Sequence, residues 1–582
     1  MLHSAQIISR QITPEPEWVR TLSAIFPSHT ALFARILQAR NIQDPRALSN
    51  SMKDLIHYRT LRGLNVAVQV LADAVVQDQR IVIVGDFDAD GATSTALCML
   101  ALNAMGHHNV QYIVPNRFDF GYGLSVPLVD IAHEEYQADI LLTVDNGISA
   151  HEGVDRANQL GIKVIVTDHH LAGDTLPDAT AIVNPNQPDC AFIGKNSAGV
   201  AVAFYVLSGL RAELQSRQWF NPHRPMPNLA EFLDLVALGT VADVVKLDHN
   251  NRILVYQGVA RIKRQLCRPG ILALLDVAGK VADKLTVSDL GFILGPRLNA
   301  AGRLDDMSIG IECLITQDPF VARQLAEQLD QFNRERKQIE QSMRDDAETH
   351  LASLQPSHND LPAALVLFND TFHEGVIGIV AGRIKEQCYR PTVVFADAGD
   401  GELKGSARSI QGLHIRDALE RVNTHHPKLI KKFGGHAMAA GLTIEASGLE
   451  QFEQAFIDVV GELGSELPKT AQVETDGALQ ASELDLGLAK QLEQLCVWGQ
   501  GCPAPMFDNV FGVVNQRIVG EKHLKLVLSL NDQTVDAIAF NVDVSQWPNP
   551  SCQHIHAAYS LNVNEFRGNE SVQCLIHTFH PV

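Results

Sequence analysis

The sequence predicts an α/β protein: a parallel-sheet domain, joined by a long helix to a second, smaller α/β domain, and then a small β-barrel at the C-terminal end. Three observations predict it. Short β-branched runs at Ile81–Val84, Val110–Val114, Ile140–Val144, Val164–Val166 and Ala181–Val183 are mostly separated by helix-length segments, which is the pattern of parallel strands buried on both faces. Between about residues 319 and 354, Phe320, Leu325, Leu329, Phe332, Ile339, Met343 and Leu351 recur at helical spacing within a heavily charged stretch, as in a long amphipathic helix. Beyond Pro505, strand-like runs at Val510–Val519, Leu524–Leu530, Val535–Asn541, His554–Val563 and Val572–Phe579 alternate with turn signals and no comparable helices. That pattern suggests a barrel of the OB kind, a shape that commonly grips single strands.

Composition agrees with several domains. A chain of 582 residues is too long for one core, and one domain per ~150 residues predicts three or four. We divide it into an N-terminal arm (1–50, broken by Pro14, Pro16 and Pro27), the first α/β domain with a helical extension (51–317), the connecting helix (318–355), the second α/β domain (356–450) and the barrel (465–582). Residues Gly499–Pro505 read as a hinge or linker. The start, Met1 to Gln6, has neither the basic region nor the apolar core of a secretion signal, and no apolar run is long enough to cross a bilayer, so the expected location is the cytoplasm with no membrane contact. Nine scattered cysteines with no C-x-x-C pair fit reduced thiols rather than a disulfide framework or a structural zinc. A formal charge of −20 argues against a uniformly basic nucleic-acid coat. It leaves room for local positive patches, at Lys428, Lys431, Lys432 and His436 or at Arg261, Lys263, Arg264 and Arg268.

Each of the first five strands ends in polar residues that a core would reject. The first ends at Asp86, Asp88 and Asp90, the second at Asn116 and Arg117, the third at Asp145-Asn146-Gly147, the fourth at Asp168-His169-His170, and the fifth at Asn184. Ligands of open parallel sheets sit outside the carboxyl ends of the strands, so five strand ends converge on one expected site. If the chain stays extended past Val84, the three aspartates share one side, and a polyvalent cation is the simplest partner for such crowding. The same residues would also serve as an acidic turn capping a helix that starts near Ala92. Asp243, set among Val241, Ala242, Val244 and Val245, reads either as a further metal ligand or as an N-cap or local turn bond.

Aspartates with a minority of imidazoles and no cysteine suit Mn²⁺ or Mg²⁺, and the donors suffice for two ions. Two such ions suit in-line phosphoester hydrolysis. Neighbours on extended chain point apart, so one histidine can ligate a metal while the other faces substrate. A His-His pair alone is more often surface or a satisfied core group. On the company these two keep, we assign His169 to the metal, His170 to the scissile phosphate as donor or general acid, and Asp168 to orienting a histidine. Gly295–Arg303, with Arg297, Asn299 and Arg303, reads as a Gly-bounded loop suited to phosphate, though paired arginines also occur as plain surface. In the second α/β region, Gly378–Arg383 with Arg383, Gly405–Ser409 with Ser406 and Arg408, and Gly434–Gly441 with Gly434, Gly435 and His436 read as anion nests or as tight helix–sheet packing.

Gly85–Gly91, Val144–Gly147, Asp168–His170 and Gly239–Val245 resemble the four motifs of the DHH phosphoesterases, and the 378–441 landmarks resemble the associated DHHA1 domain. With Gly295–Arg303 and the barrel, nearly the whole chain is similar to the single-strand-specific exonucleases of that family. The resemblance implies a Mn²⁺- or Mg²⁺-dependent enzyme that digests single-stranded DNA from its 5′ end to mononucleotides in recombination and repair. By it, Asp88, Asp90, Asp145, His169 and Asp243 hold metal and His170 assists. Arg297, Ser406, Arg408 and Gly435 engage the DNA backbone and terminal phosphate. Asp86 or water replaces the histidine that many relatives carry where this chain has Val84. Implied partners are single-stranded DNA, a single-strand-binding protein and a helicase, around a monomer. The alternatives are a small-substrate phosphoesterase of the same superfamily (a pyrophosphatase or oligonucleotide phosphodiesterase), which the barrel and long helix disfavour, and a non-catalytic DNA-binding scaffold, which the four intact acidic motifs disfavour. A plain nucleotide-binding protein is disfavoured because no G-x-G-x-x-G or P-loop follows a strand.

Overall fold

The computed structural model describes residues 5–115, 123–354, 361–464, 467 and 470–582, with the side chains of 350–354 outside the description. Two compact units result, one of residues 44–335 with 497–503, the other of 1–43, 336–496 and 504–582.

The first unit is built on a five-stranded sheet in the order Val110–Ile113, Ile81–Val84, Ile140–Val144, Lys163–Thr167, Ala181–Val183. All pairs are parallel, with Val84 in register with Ile113 and Thr143. Ile81 to Val84 are wholly buried, because helices cover both faces and each such side chain contributes about 1.5–3 kcal/mol on burial. On one face Val82, Val84, Leu141, Val164 and Val166 pack with Leu128, Val129, Val154 and Ala157. Parallel pairing sends every strand's carboxyl end to the same edge, so the polar residues that follow the strands are gathered there. Asn116 and Arg117, expected after the second strand, lie outside the described residues.

The long helix runs from Pro319 to Leu354. Its buried stripe is Ala322, Ala326, Leu329, Asn333, Arg336, Met343 and Ala347, not the larger apolar set the spacing suggested, and Phe320 is exposed. Small and polar residues occupy this face because it carries ion pairs: buried Asp330 binds Arg297 and Arg334, and Arg336 binds Glu340.

In the second unit a mixed sheet runs in the order Ile430–Gly435, Ala439–Glu445, Glu402–Arg408, Thr392–Gly399, Leu365–Phe368. Helix Ile377–Cys388 packs one face through Val380, Ala381 and Ile384. Helices Ile415–His425 and Leu449–Leu463 pack the other, around Phe395, Phe452 and Phe456. The OB-like barrel is present and closed, in the order Phe507–Val519, His523–Leu530, Gln533–Ala539, Asn569–Pro581, His554–Phe566, with the third and fourth of these pairing in parallel. Its inward set, including Leu524, Leu526 and Leu528, alternates with half-exposed Lys525, Val527 and Ser529, the period of a strand with one buried face.

The first 50 residues do more than form a polar arm. Gln6–Ser9 is a strand in parallel register with Gln472–Thr475, and Trp18, Leu22, Phe33 and Leu37 are buried. Arg40 donates from Nη1 to Asp476 Oδ1 at 2.8 Å and from Nη2 to Oδ2 at 2.9 Å, with both side chains almost fully buried. Without Arg40 the buried carboxylate is left with Arg10 Nη1 at 3.5 Å and the Met506 amide at 3.1 Å, so Arg40→Met is expected to lower the stability of this unit by about 3 kcal/mol in urea unfolding. A loss below about 1 kcal/mol would show the pair to be dispensable. The Gly499–Pro505 segment is not a free linker either. Gly499 and Cys502 bridge in a tight turn whose Gln500 carbonyl accepts from Leu247 N at 2.7 Å.

The nine cysteines are all free. Among the described residues no helix is long and apolar enough to cross a membrane.

Candidate metal centre

The aspartate triplet is not an extended strand. The chain turns at Gly85–Phe87 and enters helix Ala89–Ala104 directly, so alternation does not place the three acids. Asp88 caps that helix, its Oδ1 accepting from Asp90 N at 2.9 Å and Gly91 N at 3.0 Å. The capping alternative therefore holds for Asp88, with the helix starting at Ala89 rather than Ala92, and it holds together with the clustering. Asp90 is fully buried, and its oxygens accept from Gly199 N at 2.6 Å and Val200 N at 3.0 Å, at the start of helix Gly199–Ser216.

The third strand delivers Asp145 in a left-handed conformation, φ 63°, which Asp tolerates better than most residues. Asn146 secures this turn by donating to Val84 O and Val144 O. After the fourth strand, Asp168 Oδ2 accepts from Ile148 N at 2.9 Å, and Oδ1 from the His169 and His170 amides at 2.7 and 3.0 Å. Asn184, from the fifth strand end, donates to His170 O, and Asn186 to His169 O. Asn186 was not anticipated; its signal was the polar run Asn184-Pro185-Asn186 after a strand. Asp243 occupies the C-terminal end of helix Leu233–Ala242, so it is no N-cap.

These residues meet. His169 Nε2 lies 3.1 Å from Asp145 Oδ1 and 3.5 Å from Asp243 Oδ2. Possible ligand atoms fall within 4.8 Å of one another in three groups: Asp86, Asp88 and Asp145; Asp90, His169 and Asp243; Asp145, His169 and His170. The two histidine rings do not point apart, since their centroids are 4.5 Å apart. His170 Nδ1 donates to Asp168 Oδ1 at 2.7 Å.

Electrostatics test whether a cation fits. Burial, then the charge of Asp88, pushes the Asp90 carboxyl up to about 7. Burial, then the charges of Asp90 and Asp88, holds Asp145 and Asp243 well above the ordinary carboxylate range. Such a cluster resists full ionisation by itself, and oxygen-rich donors around one imidazole are what Mn²⁺ and Mg²⁺ take. The donors fit those ions. Asp168 behaves oppositely: burial would raise its carboxyl, but the hydrogen bond and charge of His170 hold it below the usual range. Burial opposes protonation of His170, and the Asp168 bond and charge outweigh it and raise the ring's pKa.

Two glycines let helices approach the acids. A Cβ on Gly199 would lie 2.6 Å from Asp145 Oδ1, and one on Gly239 would lie 2.8 Å from Asp90 Oδ1. Gly199→Ala is expected to keep the fold but displace Asp145, weakening Mn²⁺ binding by about 10- to 100-fold in calorimetric titration. Unchanged affinity would show that the approach is not needed.

The other expected contacts lie on elements of both units. Gly295–Leu304 is a helix, not a loop, because Pro296 sits in the first turn, where a missing N–H costs nothing. On it, Asn299 Oδ1 accepts from Ala89 N at 2.8 Å, and so supports the aspartate turn. Arg297 is committed to Asp330 and to Ile293 O, and Arg303 lies in the last turn. In the other unit Arg383 sits on helix Ile377–Cys388 and pairs with Glu340 and Glu386. Arg408 donates to Ser406 Oγ at 3.0 Å, and burial lowers its pKa. Its Nη2 lies 2.8 Å from where a Cβ on Gly378 would sit. A desolvated guanidinium with no carboxylate in salt-bridge range among the described residues is suited to an anion. Gly434 and Gly435 end one hairpin strand, and His436 N donates to Ala439 O across the turn. The basic patches are partly cancelled: Lys431 by Glu402 and Glu445, Arg268 by Asp234.

Residues 80–240 match the DHH family, N-terminal domain; 362–462 match the DHHA1 domain; and 475–578 match the RecJ OB domain. The chain is 52% identical over 555 residues to the single-stranded-DNA-specific exonuclease RecJ of Dickeya dadantii (strain 3937), covering 95% of this chain and 96% of that protein. It is 50% identical over 554 residues to RecJ of Escherichia coli (strain K12), with the same coverage. Among solved structures, RecJ from Thermus thermophilus in complex with Mn²⁺ superposes with a TM-score of 0.82 at 28% identity, covering 99% of this chain and 80% of that one. The Mg²⁺ complex from the same organism gives 0.76 at 25% identity, covering 99% and 79%.

Proposed function

The chain belongs to the family of RecJ single-stranded-DNA-specific exonucleases, and from that premise we propose that it is a Mn²⁺- or Mg²⁺-dependent exodeoxyribonuclease. It hydrolyses phosphodiester bonds of single-stranded DNA from the 5′ end, releases mononucleotides, and serves recombination and repair. The observation that carries this reading is the buried aspartate cluster around His169 with the Asp168–His170 pair beside it.

Asp86, Asp88, Asp90, Asp145, Asp243 and His169 would hold the ions. When bound, two such ions supply charge neutralisation at the phosphoryl group and a nucleophile at neutral pH. His170, whose protonated form the Asp168 bond and charge favour, donates to the phosphate and gives its proton to the leaving oxygen as the P–O bond breaks. Asp168 acts through His170, and the bonds it accepts from the Ile148, His169 and His170 amides fix its place. Ser406 and Arg408 with the Gly434–His436 turn hold a phosphate of the strand, and the barrel binds its backbone. The enzyme acts as a monomer with a single-strand-binding protein and a helicase, in the cytoplasm, a location the free cysteines fit.

The test is degradation of end-labelled single- and double-stranded DNA in Mn²⁺, Mg²⁺ or EDTA, with Asp90→Ala as the control. Metal-dependent release of mononucleotides from single strands is expected, starting at the 5′ end and lost in the variant. Binding without cleavage under every condition would identify a scaffold instead.

A further inference from the structure

Phe292 is 81% exposed, the most exposed large hydrophobic side chain among the described residues. It stands on Leu290–Leu294, a single π-helical turn that runs into helix Gly295–Leu304. Such turns are rare and are frequently found at functional sites. This one is held in place from both sides. Arg297 donates to its Ile293 carbonyl at 2.7 Å. Gly291 and Gly295 let it lie against the end of helix Leu233–Ala242, where added Cβ atoms would meet Val241 at 3.3 Å and Ala242 at 3.1 Å.

The next residue after that helix is Asp243, and after it comes Val244, 61% exposed and held at φ 63°. A β-branched residue is a genuine outlier there, and strain of this kind gathers at ligand sites. Phe292, Pro296, Asn299 and Arg303 recur at helical spacing, and Asn299 binds the Ala89 amide of the aspartate turn. Two exposed apolar side chains therefore stand on adjoining segments, Val244 next to Asp243 and Phe292 on the turn that packs against Val241 and Ala242. Neither is explained by packing, because an aromatic ring this exposed adds little to a core.

We propose that Phe292 is a stacking platform for a nucleobase next to the scissile linkage, with Val244 at its border; the inference rests on the exonuclease reading above. Stacking accepts any base, because every base has a π-face. It also favours an unpaired strand, since a duplex offers its bases only after unstacking. Phe292 is thus a positioning residue, placing the linkage over the carboxylates without entering the chemistry.

The full-length protein and its Phe292→Ala and Phe292→Trp variants would be compared in single-turnover release of the first nucleotide. The substrates are oligonucleotides carrying an intact base or an abasic residue at position 1, 2 or 3 from the 5′ end. Phe292→Ala is expected to lose roughly 5- to 150-fold in kcat/KM on the intact strand, Phe292→Trp to retain it, and both to melt with the unaltered protein. With the abasic residue at one position, the unaltered protein should fall by a similar factor and Phe292→Ala should lose nothing further. Equal activity of Phe292→Ala and the unaltered protein on intact strands overturns the inference. So does an equal Phe292→Ala deficit on every abasic substrate. If the unaltered protein releases no nucleotide in either metal, the exonuclease reading itself fails and takes this inference with it.

Discussion

Replacing Asp145 by Asn will abolish metal-dependent nuclease activity and, at the same time, raise the melting temperature of the metal-free protein. Asp145 is buried beside Asp90, Asp88, Asp243 and Asp86, and its carboxyl is held well above the ordinary range by desolvation and then by those charges. A group whose folded pKa is raised contributes stability at low pH that is lost as pH climbs past its unfolded value, near 3.8. Above that value the metal-free fold bears a cost at this position, either a crowded charge or the uptake of a proton to avoid it, that Asn does not have. Asn also suits the left-handed backbone at φ 63°. Each kcal/mol recovered is worth about 2–4 °C in a unit of this size. Mn²⁺ should raise the melting temperature of the unaltered protein, by about 2.7 kcal/mol of added stability at a hundredfold excess over Kd, and should do little for the variant. Activity should fall by more than about 100-fold, since even outer groups of a metal site cost 10- to 100-fold. Melting curves in EDTA and in Mn²⁺ decide it. A metal-free variant that melts below the unaltered protein would contradict the electrostatic argument.

His170→Ala is expected to lower kcat by about 10²- to 10⁴-fold while leaving Mn²⁺ binding nearly intact. His170 also lies within reach of a possible ligand group with Asp145 and His169, so the metal titration separates two roles. A collapse of Mn²⁺ affinity would make it a ligand rather than a proton donor. Asp168→Asn should act in the same direction, because Asp168 holds both the ring and the amides that place it. Groups that act as a unit are not additive. The double variant should be no slower than His170→Ala alone. A multiplied loss would assign Asp168 an independent task.

Much of this was legible in the sequence because parallel strands buried on both faces must be continuous apolar runs, and because such a sheet gathers its strand ends. Ile81–Val84, Ile140–Val144 and Ala181–Val183 appear with those same limits. The convergence of Asp86, Asp145, His169 and His170 followed from topology, and the added presence of Asp243 from its apolar setting. What was not legible depended on tertiary partners. The turn at Gly85 sends Asp88 and Asp90 into a helix whose start is fixed by capping, not by strand alternation. Arg297 looked available to phosphate because Asp330, its buried partner, lies a helix away in sequence. Gly295–Leu304 carries Gly, Pro and Asn, which locally signal a loop, yet it packs as a helix against Ala242 and Phe87. The first 50 residues looked polar because their pairing strand lies at Gln472–Thr475.

That pairing has a consequence for synthesis. Gln6–Ser9 is translated more than 460 residues before the strand it must join. At about 5–20 residues per second, the wait is roughly 25 to 90 seconds. Through that interval the N-terminal segment has no sheet to complete, while Asp86, Asp145, His169 and Asp243 have all been made. The nascent chain thus acquires its acidic cluster long before Gln6–Ser9 can pair with Gln472–Thr475, and until then that strand remains an open edge, the kind to which other chains add.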